Sequence, residues 1–177
     1  MKMPAKSTAV TPHITVSDVR KAVRFYEKAF GFKMKFTLPG RNGKVMHAEM
    51  EHEGCTVMIG PESEERGMLS PMSTGTVSPV SLYIYVDDLE QQHATAVSSG
   101  AKVLLEPSDQ FFGAKTSMVM DPDGYSWMLA QHQKEVTVES MKNALNTARS
   151  HAPRARNAPA KEAAEAKPAP AKPTRRP

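Results

Sequence analysis

Alternating apolar and polar residues, then a helical apolar stripe, then more alternating runs: this order occurs twice along the chain. Residues 11–16 place Ile14 and Val16 on one side and Thr11, His13 and Thr15 on the other, the period of a half-buried strand. Ser17-Asp18 then signals a helix start, because the Asp18 carboxylate can accept hydrogen bonds from the free N–H groups of a first turn. Val19, Val23, Tyr26 and Phe30 follow at helical spacing, and Gly31 supplies the stop. Strands are predicted at residues 32–38, 44–50 and 55–60, separated by the turn clusters Pro39-Gly40-Arg41-Asn42-Gly43 and Glu51-His52-Glu53-Gly54.

The second pass begins 70 residues later. Val86-Asp87-Asp88-Leu89 matches Val16-Ser17-Asp18-Val19, and Gly100-Ala101-Lys102 matches Gly31-Phe32-Lys33. A strand at 81–86 leads to a helix at 88–99 and a strand at 102–106. A hairpin of 115–120 with 125–132 then turns through Asp121-Pro122-Asp123-Gly124. The pattern therefore predicts an α+β domain at 9–135, built of two tandem βαβββ units (9–60 and 79–132). The polar segment 61–78 is long for a loop and is expected to cross between the units, with room for a flap over a site. A further helix is expected at 136–150, capped by Thr137, with Met141, Leu145 and Ala148 on one face.

The alternation also sorts side chains by face. Ile14, Val16, Ala48, Met50, Val57, Ile59, Leu82, Ile84, Trp127 and Leu129 make one aliphatic side, suited to cover by helices. The other side mixes His13, Thr15, His47, Glu49, Met58, Tyr83, Tyr85 and Met128, a composition suited to a small-molecule pocket. Phe111, in the loop before the hairpin, adds flat contact area. These eight candidates for ligand binding are His13, His47, Glu49, Met58, Tyr83, Tyr85, Phe111 and Met128. Trp127 is expected in the core, His52 in a turn, His93 on a helix surface and His132 at a strand end.

Charge changes the picture little. The net charge is +4, but residues 151–177 hold seven Lys/Arg against two Asp/Glu, which leaves residues 1–150 near neutrality. The domain is thus not a basic nucleic-acid surface, and any such contact is expected only weakly, through the tail. That Ala/Pro/Lys tail cannot bury enough apolar surface to fold and is predicted to be disordered, as is a leader at 1–8. One cysteine, Cys55, excludes an internal disulfide. No apolar run suggests a membrane span or signal peptide, so a cytoplasmic protein is expected.

The doubled unit, the openings His13-Ile-Thr-Val-Ser-Asp-Val and Tyr83-Ile-Tyr-Val-Asp-Asp-Leu, the Arg24-Phe25-Tyr26 run and Asp121-Pro122-Asp123-Gly124-Tyr125 together resemble the vicinal oxygen chelate superfamily. That superfamily includes glyoxalase I, bleomycin-resistance proteins and extradiol dioxygenases. Val45-Met46-His47-Ala48-Glu49, Asp109-Gln110-Phe111-Phe112-Gly113 and Gln131-His132 are similar to its glyoxalase-like branch of small bacterial proteins. The resemblance implies a curled mixed sheet around a cavity, helices outside, and a homodimer. Whether the units pair within one chain or across two stays open.

The resemblance also implies metal-ligand positions on the first and fourth strand of each unit. Here Thr11, Met58, Ser81 and Met128 stand there, where His or Glu is usual. No metal and no cofactor are therefore expected, no catalytic residue is assigned, and glyoxalase I chemistry is disfavoured. The preferred function is binding of a small organic molecule. The alternatives are a metal-dependent lyase or dioxygenase-type enzyme with a shifted site at His13, His47 and Glu49, and a dimerisation module whose basic tail meets acidic partners.

Overall fold

A computed structural model describes residues 10–40 and 43–151 of the chain. The expected leader and almost all of the expected basic tail lie outside the described residues.

The first unit is β1 (His13–Val16), α1 (Val19–Phe30), β2 (Lys33–Pro39), β3 (Val45–His52) and β4 (Cys55–Pro61). The second is β5 (Ser81–Tyr85), α3 (Leu89–Ser98), β6 (Lys102–Asp109), β7 (Ala114–Met120) and β8 (Ser126–His132). A 3₁₀ turn (Glu64–Arg66) and a short helix α2 (Pro71–Thr74) lie between the units, and α4 (Val138–His151) follows them. Each unit forms a four-stranded mixed sheet, in the orders β1-β4-β3-β2 and β5-β8-β7-β6. The first strand of each unit runs parallel to its fourth, as the helical crossover requires, and the remaining pairs are antiparallel.

The caps act as their chemistry dictates. The Asp18 carboxylate accepts from the Lys21 N–H, and Gly31 closes α1 at φ 72°, a left-handed conformation that glycine adopts without strain. Asp88 accepts from the Gln91 N–H at the start of α3. Several strand ends differ from the sequence reading, two of them for reasons of proline chemistry. β1 starts at His13 rather than residue 11: Pro12 has no N–H to donate and contributes only its carbonyl, which accepts from the Met58 N–H. β6 runs on to Asp109, through Pro107, which its place at the sheet edge tolerates.

The aliphatic sides of both sheets, α1 and α3 share one hydrophobic core. The two helices pack against each other on the sides of the sheets away from the open faces. Trp127 of β8 is the centre of this junction: its ring lies 4.7 Å from Phe30, 5.2 Å from Tyr26 and 5.7 Å from Phe32, all in the first unit.

Asp121 ties the same junction with polar bonds. Its carboxylate is 2% exposed and accepts from the Tyr26 hydroxyl (2.7 Å), Trp127 Nε1 (2.9 Å) and the Asp123 and Tyr125 N–H groups. Asp123 in turn accepts from the Ser17 N–H and hydroxyl, and the Tyr125 hydroxyl bridges the Thr15 N–H and C=O. The Asp-Pro-Asp-Gly turn is therefore a lock between the units as well as a hairpin.

The 61–78 connection is fastened more firmly than a flap would be. The Ser70 N–H donates to Glu62, the Met72 N–H donates to the Asp123 carbonyl, and Ser70 and Pro71 are buried. Among the described residues no helix is long and apolar enough to cross a membrane.

Candidate functional site

The open face of the first sheet assembles four of the eight candidates. Strand register sets His13 of β1 beside Met58 of β4, Met58 beside Glu49 of β3, and Glu49 beside Phe36 of β2, so these side chains cross the sheet in one row. His47, two residues before Glu49, points the same way. Its ring is nearly parallel to that of His13 (14°), with centroids 6.2 Å apart. His47 Nε2 lies 3.7 Å from one Glu49 oxygen, and Phe36 packs 6.0 Å from the same imidazole. The His13 ring lies over Gly60, where a Cβ would approach its Cε1 to 3.1 Å.

Lys35 completes this cluster and was not a sequence candidate. A shift of register between Met34 and Phe36 breaks the alternation of β2. The Lys35 ammonium reaches the second Glu49 oxygen at 3.1 Å and the Thr56 hydroxyl at 3.4 Å. Strict period-two reading sends Lys35 to the face opposite Phe36, so only the irregularity of β2, which no residue pattern announces, could have shown its role.

The remaining candidates sit on the second unit. Tyr83 pairs with Met128 across the β5–β8 ladder, and Met128 with Met118. The Tyr83 and Tyr85 rings meet edge to face at 5.3 Å. Partial burial, and then the neighbouring Tyr85 phenol, raise the Tyr83 hydroxyl above the usual phenol pKa. Phe111 is exposed between β6 and β7, edge-on to Phe112.

Among the described residues, no hydrogen bond, ion pair or ring contact joins this second group to the His13 group. The two groups are therefore not in direct contact within the chain. A cleft of about 590 Å³ does lie between the units, lined by His52, Glu53, the 85–88 segment, Gln91, Gln92, Gln131 and His132. Of the eight candidates only Tyr85 borders it.

The other histidines refine the reading. His93 is not on the helix surface: it is buried, with Nδ1 3.1 Å from the Ser117 hydroxyl and Nε2 3.5 Å from Glu106. The weak apolar stripe of α3 hid its inward face. His52 ends β3 rather than sitting in the turn; its ring packs tilted against Phe32, with centroids 5.1 Å apart, and its buried Nε2 has no hydrogen-bond partner among the described residues. His132 ends β8, with Nε2 3.4 Å from Glu135.

Residues 8–129 match the sequence model of the Glyoxalase/Bleomycin resistance protein/Dioxygenase superfamily. The chain belongs to this superfamily. It is 32% identical over 142 residues to the uncharacterized protein Mb0911c of Mycobacterium bovis, an alignment covering 78% of this chain and 93% of that protein. Its fold is similar to the crystal structure of protein PA1353 from Pseudomonas aeruginosa, with a TM-score of 0.58 and 19% identity over 72% of this chain and all of that one. A glyoxalase-related enzyme from Fulvimarina pelagi is similar at a TM-score of 0.54 and 18% identity, covering 71% of this chain and 88% of that chain.

The donor set does not fit the metal that well-known superfamily members hold. At the positions where the resemblance implies metal ligands, Met58 and Met128 offer thioethers and Thr11 and Ser81 offer hydroxyls, whereas hard divalent cations require carboxylate or imidazole. The shifted trio fares no better. The Lys35 ammonium holds one Glu49 oxygen at 3.1 Å, so a cation there would sit beside a fixed positive charge. Among the described residues no three His, Cys, Asp or Glu side chains are grouped to hold a metal ion.

Proposed function

We propose that this protein binds a small organic molecule carrying an aromatic group, without a metal, between the open face of the first sheet and that of the second sheet of another copy. The observation that carries this reading is the division of the site. His13, His47, Glu49 and Met58 form one prepared polar and flat surface, while Tyr83, Tyr85 and Met128 form another that does not meet it in the same chain. Exposed apolar side chains run along both surfaces and their edge strands. Phe36 is 42% exposed, Leu38 51%, Leu105 57% and Tyr85 64%. Surfaces of this kind with open strand edges favour cover by a partner, and a second copy supplies each face with its complement. A cytoplasmic setting goes with this reading, since the exposed Cys55 stays a thiol in reducing surroundings.

A metal-dependent lyase or dioxygenase-type reaction at the shifted His/Glu site is disfavoured by Lys35. A basic-tail module rests on residues outside those described.

The test uses 2-naphthamide as a flat neutral probe, in equilibrium dialysis with EDTA present, alongside light scattering of the full chain. The expected result is a dimer with saturable probe binding. Removing either aromatic surface, by His13→Ala with His47→Ala or by Tyr83→Ala with Tyr85→Ala, should weaken binding by roughly threefold to tenfold per ring, the value of one stacking contact. A chain that stays monomeric while binding the probe contradicts the two-copy cavity. Binding that needs an added divalent metal, or that ignores both pairs of substitutions, contradicts the site.

A further inference from the structure

We infer that the Lys35 ammonium supplies, on the open face of the first sheet, the positive charge that a metal ion supplies elsewhere in this superfamily, and that the ligand it selects carries a carboxylate or other anionic oxygen group. This inference rests on the ligand-binding reading above and adds the chemical class of the ligand.

Lys35 has three N–H donors, and two are directed at Glu49 and Thr56. His13 and His47 each present ring nitrogens with no hydrogen bond closer than the 3.7 Å approach of His47 to Glu49. The Glu49 carboxylate is the acceptor in the middle of the row, and it already faces both Lys35 and His47. Glu51, the next acidic residue along β3, is turned to its own hairpin, where it accepts from the Gly54 N–H. The face therefore holds a spare ammonium N–H and imidazole nitrogens able to donate, beside a Glu49 carboxylate of which Lys35 already holds one oxygen.

An incoming carboxylate finds what it lacks there: an ammonium and imidazole edges, beside Met58 and Phe36 for an attached ring. The Lys35 side chain is 30% exposed and that of Glu49 16%, so the ion pair is reachable from solvent yet held in place. A metal would compete for the same Glu49 oxygens, which is why lysine and metal exclude each other.

The probes are 2-naphthoate and its neutral counterpart 2-naphthamide, with dissociation constants measured on the full chain with EDTA present. The wild type is expected to prefer naphthoate. Lys35→Met should weaken naphthoate by roughly tenfold to a hundredfold, the loss of one charge-assisted hydrogen bond, and so abolish the preference for naphthoate over naphthamide. Lys35→Arg should retain most of the preference. Lys35 is exposed on an edge strand, and circular dichroism of both variants checks that the fold is kept.

Equal affinities for the two probes, or a preference that survives in Lys35→Met, overturn the inference and leave the binding site standing. A preference for naphthoate that arises only when Mg²⁺ or Mn²⁺ is added also overturns it. Binding of neither probe removes the site and the inference together.

Discussion

Trp127→Ala is expected to destabilise the fold by about 3–5 kcal/mol, enough to leave a domain of ordinary stability partly unfolded. The side chain is 1% exposed and fills the space between α1 and β8, against Phe30, Tyr26 and Phe32. Alanine leaves a cavity that three aromatic rings of the first unit cannot close without shifting the helix. It also leaves the Asp121 carboxylate without its Nε1 donor. Trp127→Phe keeps most of the volume and should cost about half as much or less. Urea denaturation followed by circular dichroism measures both. A loss for Trp127→Ala below about 1 kcal/mol would mean that the two units do not share a core.

Asp121→Ala should cost a similar amount, about 3–5 kcal/mol, by a different route. Four donors converge on this one buried carboxylate, and two of them, the Tyr26 hydroxyl and Trp127 Nε1, are themselves buried. Alanine orphans all four. Asp121→Asn keeps one acceptor oxygen but sets an amide NH₂ against a donor, so a loss of about 1–3 kcal/mol is expected. Because Trp127 and Asp121 touch, the double substitution Trp127→Ala/Asp121→Ala should destabilise by less than the sum of the two.

The Asp121 carboxyl also has a pH signature. Burial lifts its pKa above the usual aspartate value, and the hydrogen bonds from Trp127, Tyr26 and the Tyr125 N–H pull it back only in part. In the window between the usual and the raised value, the folded chain holds a proton that the unfolded chain has lost. Stability contributed by this group therefore falls as pH rises through that window and is level above it. Asp121→Asn should remove that fall. If its stability profile in the acid range matches that of the wild type, Asp121 is not buried as described.

Much of the architecture was legible in the sequence because local chemistry dictates it. Asp18 and Asp88 cap helices through their own first turns, and Gly31 closes a helix by its own left-handed conformation. The two-residue alternation placed Ala48, Met50, Val57 and Ile59 on the core side and His47, Glu49 and Met58 on the open side, as the structure has them.

What stayed hidden is long-range or irregular. Asp121 looks like a turn residue and is one, but its bond to Tyr26 joins positions 95 apart. Lys35 owes its reach to a break in the alternation of β2, and such breaks erase the pattern on which face assignment depends. His93 faces inward on a helix too weakly amphipathic to reveal it. The alternation set His13, His47, Glu49 and Met58 on one sheet and Tyr83, Tyr85 and Met128 on the other. Which surfaces would meet in the proposed dimer is a property of apolar faces and strand edges rather than of any motif.

On the reading proposed above, side-chain donors, and not a metal ion, serve the open face of the first sheet. Elemental analysis of the full-length protein, purified without chelator and compared with a chelated control, tests it most directly. The expected result is divalent metal well below one equivalent per chain, with no change in His47→Ala. About one equivalent per chain, lost together in His47→Ala and Glu49→Ala, would contradict it.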